Sequence, residues 1–325
     1  MRPYVVQGHS RPVTWVVYNR EGDLLVTCAR DKEVCLWFQE DGTRLGSFQG
    51  HDGVVYTADI ASDSERLLTA SGDGTTRLWQ METGKELFEW HSSSREPCRA
   101  VSFAVGERLA AFSTDPFGNN PPGFHIVRVE EDMLDQTEEK LVSEIIQTRI
   151  YRLGWTDQNR VIVTAQEDGF VRRWDVETGK IIFENRIHAE QINDLRFSGD
   201  GTHFITGSSD KTAKLVDTRT LEVLKTYKSG TPVNAVDMSP LMDHVVLGGG
   251  QDAADVTTTA AQAGNFSAKF YHKLYEEEFG TVRGHFGPLN SVAFHPSGRG
   301  FTTGGEDGFV RIHHFDDDYF TTKFF

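Results

Sequence analysis

Four histidines, His9, His51, His188 and His285, stand beside carboxylates and invite a chemical reading. A histidine with an acidic partner could act as a general base, or with further ligands hold a metal ion. Each of the four, however, recurs at the same place in an internal repeat, which marks a structural part. His313-His314 ahead of Asp316 could ligate a metal, but neighbours on a strand point to opposite faces and cannot easily share one ion. Gly248-Gly249-Gly250 is glycine-rich, yet no Lys-Ser/Thr follows, so a tight strand-to-turn transition is expected rather than a phosphate cradle. Cys28, Cys35 and Cys98 are odd in number and lack a CxxC pair, which signals neither a disulfide framework nor a zinc site and fits a reducing compartment. No nucleophile–base pair stands out, so no catalytic residue, metal or cofactor is expected.

The elements that position these residues repeat. Thr27/Asp31/Trp37, Thr69/Asp73/Trp79, Thr164/Asp168/Trp174, Thr206/Asp210/Val216 and Thr303/Asp307/His313 share one spacing. Asp31 and Asp73 are 42 residues apart, as are Asp168 and Asp210, and the longer intervals each leave room for one more unit, with Asp115 and Asp252 in phase. That predicts seven units, the third carrying an insertion at Pro116 to Phe124 and the sixth one at Ala253 to Phe266. Within the second unit the runs Val54–Ile60, Arg66–Ala70, Thr75–Trp79 and Glu86–Trp90 predict four short strands. A four-stranded sheet buries its faces only by stacking on neighbours, and a closed ring of seven removes the open ends. The expected architecture is all-β, a single seven-bladed propeller with blades at about 8–49, 50–90, 91–140, 141–185, 186–228, 229–282 and 283–325. Arg2 to Gln7 would supply the outermost strand of the last blade and close the ring. Glu130-Glu131-Asp132 and Glu138-Glu139 are expected to form a solvated connection between units three and four.

A formal charge of −15 would repel a phosphate backbone, so direct nucleic-acid binding is not expected. With 38% hydrophobic and 25% charged residues the chain has the balance of a globular protein. Its start is too short and polar for a signal peptide, and no run approaches the roughly 18 apolar residues of a membrane span. A cytoplasmic protein is expected.

Gly8-His9, Gly50-His51 and Gly284-His285 before first strands, and Trp174-Asp175 closing a third, resemble WD40 repeats over essentially the whole chain. The resemblance implies a hydrogen-bonded relay in which Asp73 accepts from His51, His51 meets Thr69, and Thr69 takes the indole N–H of Trp79. His9, Thr27, Asp31 and Trp37 form the matching set in unit one. Unit four has Thr164, Asp168 and Trp174 without the histidine. His188, Thr206 and Asp210 in unit five, and His285, Thr303 and Asp307 in unit seven, have Val216 and His313 where Trp is expected, so those blades should be less rigid. Units three and six carry Ala111 and Gly248 at the Thr position and should rely on sheet packing alone.

Longer runs narrow the resemblance: Tyr18-Asn19-Arg20-Glu21-Gly22-Asp23-Leu24-Leu25, Gly248-Gly249-Gly250-Gln251-Asp252, Phe270-Tyr271-His272-Lys273, Gly284-His285-Phe286-Gly287-Pro288-Leu289-Asn290 and Gly304-Gly305-Glu306-Asp307-Gly308-Phe309. They are similar to the family of subunit i of eukaryotic translation initiation factor three. That resemblance implies a non-enzymatic scaffold that binds the C-terminal segment of subunit b and a segment of subunit g, and meets the small ribosomal subunit through the complex. Strand direction would place Asp200, in the turn Ser198-Gly199-Asp200-Gly201, together with Asp217 and Asp243 on one face, lining a groove for a basic helix. Gln251 is a further contact candidate. Val216-Asp217-Thr218-Arg219 also resembles the Asp-x-Arg ending of propellers that dock on a cullin, so the alternative function is substrate receptor of a cullin-type ubiquitin ligase.

Overall fold

Runs of β-branched and aromatic residues broken by Asp, Gly and Thr favour short strands and tight turns over helix. A computed structural model describes residues 3–92, 94–130, 136–138, 140–250 and 266–322. In the second repeat the strands are Val55–Ile60, Arg66–Ser71, Thr75–Gln80 and Glu86–His91, each within a residue of the expected runs. Gly74 follows the turn aspartate at φ +87°, and a Cβ there would lie 2.8 Å from Arg95 Cα, so both conformation and space demand glycine.

The described residues form seven antiparallel four-stranded sheets. Six are consecutive in the chain and span 13–48, 55–91, 98–145, 150–186, 192–228 and 233–283. The seventh takes Leu289–Phe294, Gly300–Gly305 and Phe309–His314, and its outermost strand is Tyr4–Gln7, paired antiparallel from Tyr4 opposite Ile312 to Gln7 opposite Phe309. This is a seven-bladed β-propeller closed by its N-terminal strand.

The core lies between blades. Seven buried clusters each join two neighbours, as where Trp15, Cys28, Leu36 and Phe48 of blade one meet Val55, Leu67, Trp79 and Met81 of blade two. Each fully buried Leu or Phe contributes about 1.5–3 kcal/mol relative to exposure. Side chains near the starts of the innermost strands add polar stitches to the next blade. Thr57 donates to Arg99 O (2.7 Å), Asn193 to Val233 O (2.9 Å), Asn234 to Leu289 O (3.2 Å) and Asn290 to Val13 O (3.0 Å).

Blade three differs from expectation in three places. Its outer strand is Lys140–Ile145, so the blade runs past the boundary expected near residue 140. The acidic segment beginning at Glu130 therefore joins the third and fourth strands of one blade instead of two blades. The strand Gly123–Arg128 begins inside the expected Pro116 to Phe124 loop, because Phe124 is drawn into the core beside Trp174. Asp252, Gln251 and the expected loop at Ala253 to Phe266, apart from Phe266 itself, lie outside the described residues.

Candidate functional site

Among the described residues the turn aspartates follow the second strands, and those of blades one, two, four, five and seven accept from backbone N–H groups. In blade two His51 Nδ1 lies 2.9 Å from Asp73, His51 Nε2 lies 2.7 Å from Thr69 Oγ1, and the Trp79 indole donates to Thr69 at 2.8 Å. Blade one repeats this with His9 (3.2 Å to Asp31, 2.8 Å to Thr27) and Trp37 (2.9 Å to Thr27). In blade five His188 is 2.9 Å from both Asp210 and Thr206, while Val216 offers no donor. In blade seven His285 is 2.9 Å from Asp307 and 2.8 Å from Thr303, with Arg311 3.2 Å from Asp307. Blade four lacks the histidine, and Arg172 takes Asp168 at 2.8 Å while Trp174 donates to Thr164 at 2.9 Å.

Burial works to raise the carboxyls of Asp73, Asp210 and Asp307, but the bonds from their histidines and from backbone N–H groups outweigh it and hold them well below the usual range. Burial pushes His188 and His285 down against the pull of those same carboxylates. In blades five and seven burial thus favours the neutral imidazole beside its carboxylate, and in all four relays both ring nitrogens are engaged. Groups so placed brace strands to one another.

Blade three has an ion pair where packing alone was expected. Asp115, almost fully buried, receives Arg99 at 2.6–3.0 Å and Arg149 at 3.2 Å, and the Arg99 guanidinium lies 4.2 Å and 5.1 Å from the ring centroids of Tyr56 and Tyr151. Asp115 was in phase with the repeat, but arginine does not recur in other blades at the positions of Arg99 and Arg149.

On the opposite face, Asp200 accepts from Ser198 Oγ (2.6 Å), Thr202 N (3.1 Å) and Thr202 Oγ1 (2.9 Å), bonds that lower its carboxyl while leaving it exposed. Asp217 is held by Thr220 N (2.8 Å) and Arg219 N (2.9 Å), which also lower it. Both line one cavity of about 930 Å³ with Asp157, Trp155 and Phe197. Asp243 is exposed but is not part of that lining, so the single groove of three carboxylates is not formed: its turn belongs to the next blade. Gln251 lies outside the described residues.

The cavity runs into the central channel, which sequence reasoning did not single out. Arg152 of blade four and Arg196 of blade five lie 4.2 Å and 3.9 Å from the Trp15 ring of blade one. Arg196 crosses to the carbonyls of Val16 (3.2 Å) and Val292 (3.4 Å), and Arg152 is 3.0 Å from the buried Asp194. Asp237 accepts from Phe294 N at 2.6 Å, and burial raises its carboxyl to about 6. No described group of His, Cys, Asp and Glu could hold a metal ion.

Seven radial sheets, relays that tie strands together and a carboxylate-lined mouth define a WD40-type β-propeller. The chain belongs to the EIF3I family, whose model matches residues 1–324. It is similar to proteins called eukaryotic translation initiation factor 3 subunit I from several organisms. The one from Bombyx mori is 44% identical over 326 residues, covering 100% of this chain and 98% of that one. For Drosophila melanogaster the identity is 43% over 327 residues with 100% of both covered, and for Schizosaccharomyces pombe 41% over 329 residues, covering 100% and 99%.

Proposed function

We propose that this chain is a non-catalytic scaffold subunit of eukaryotic translation initiation factor 3, acting in the cytoplasm in translation initiation. It holds the C-terminal segment of subunit b and a segment of subunit g, and reaches the small ribosomal subunit through the complex. The supporting observation is the cavity where Asp200 and Asp217 present carboxylates, beside apolar area from Trp155 and Phe197. A helix bearing Arg or Lys from subunit b complements it, apolar contact supplying area and the charges fixing register.

The test is capture of the purified C-terminal segment of subunit b by full-length chains carrying Asp200→Lys or Asp217→Lys, after circular dichroism shows an intact propeller. Both reversals should weaken capture, and native capture should fall as salt rises. Undiminished capture by both variants moves the site elsewhere on the ring.

A further inference from the structure

The seam between blades one and two carries a second opening, three blades away from the mouth at blade five. It is a cavity of about 570 Å³ floored by Leu24, Leu36, Phe48 and Met81 and rimmed by Glu65 and Glu82. Its cause is Gly46. On the outer strand Arg44–Phe48, Gly46 stands opposite Leu36, whereas in blade two the equivalent pair is Leu78 opposite Phe88, and Phe88 covers its own seam. A Cβ at Gly46 would meet nothing within 4 Å, and the residue has no left-handed φ. Glycine there serves neither a turn nor a close approach; its effect is to leave apolar floor uncovered.

The rim is acidic. Glu65 and Glu82 are exposed and have no ion-pair partner among the described residues, while Lys85 in the same turn stands outside the lining. On a chain of net charge −15, this combination rejects an acidic segment and favours a cationic one. We propose that this groove is a docking site for a linear segment of another polypeptide, one bulky apolar side chain entering over Leu36 between flanking lysines or arginines that meet Glu65 and Glu82.

The test uses a fluorescein-labelled short peptide with a central leucine–phenylalanine pair between lysines. Two controls replace the apolar pair with serines or the lysines with glutamates. Fluorescence anisotropy with the full chain should show saturable binding, about tenfold weaker for the serine control. Gly46→Leu, which fills the groove without backbone strain, should weaken probe binding about tenfold, and paired Glu65→Lys and Glu82→Lys should shift preference toward the glutamate peptide. Asp200→Lys in blade five should leave probe binding unchanged. Absence of saturable binding, equal binding of the serine control, or full binding by Gly46→Leu overturns the proposal. So does loss of probe binding in Asp200→Lys, which would put the probe at the blade-five mouth, or a dimer seen by ultracentrifugation that Gly46→Leu dissociates, which would make a second copy the occupant.

Discussion

Thr69 bonds two partners with one hydroxyl: its oxygen accepts the Trp79 indole N–H and lies 2.7 Å from His51 Nε2. The Asp73 carboxylate can only accept, so His51 donates to it from Nδ1, and tryptophan, threonine, histidine and aspartate form one hydrogen-bonded chain. Trp79 is fully buried, and its ring contacts Phe48 across the blade seam. Trp79→Phe keeps most of the ring volume but leaves the Thr69 oxygen without its donor. It should cost about 1–3 kcal/mol in urea denaturation, and less on a Thr69→Val background, where the bond is already gone. Equal losses in both backgrounds would assign the cost to ring packing instead.

At the scale of the strand, ring closure depends on Tyr4–Gln7. Its four residues pair with Phe309 to Ile312, and Val6 enters the cluster formed by Val310, Ile312 and Trp37 where blade seven meets blade one. Deleting residues 1–7 strips the outer edge of blade seven and removes a buried valine from that seam. An unpaired edge beside apolar surface both loosens the blade and templates association. The truncated chain should melt at lower temperature and aggregate faster on heating; a melting curve superimposable on that of the intact chain would show that three strands suffice.

For the whole molecule, the channel gathers charge from blades far apart in sequence. Asp237 faces Arg196 and Asp194 there and accepts from the Phe294 and Met238 N–H groups. Its folded pKa, about 6, exceeds the ordinary carboxylate value, so the folded state favours the protonated form. That contribution to stability is fully present below the unfolded pKa and is lost as pH rises through about 6. Asp237→Asn retains an acceptor and removes the charge. It should raise stability at pH 8 relative to the native chain by on the order of 1–3 kcal/mol, the gain shrinking as pH falls through about 6 and nearly gone by pH 3. The histidines held down by burial titrate alike in both chains and cancel in the difference. A gain independent of pH, measured by urea midpoints, would place the cost of Asp237 outside its ionisation.

The number of blades was legible in the sequence because each blade is built from contacts close along the chain. A turn aspartate recurs every 42 residues where no insertion intervenes, and the strands beside it follow from β-branched runs between turn-formers. The relay residues were legible for the same reason, since their hydrogen bonds span 10 to 22 residues within one repeat. Other features escaped any period. The outer strand of blade three lies beyond an acidic segment of irregular length. Asp115 takes arginines from outside the motif, and Asp243 keeps apart from Asp200 and Asp217 although Asp200 and Asp243 occupy the same turn of successive blades. Arg196 reaches Val16 across 180 residues and, with Arg152, packs on the Trp15 ring, a contact that exists only once the ring has closed. Local spacing determines which strands pair and which turn each aspartate caps; which blades face one another across the channel, and where a seam stays open as at Gly46, is decided only by how the seven sheets pack around a common axis.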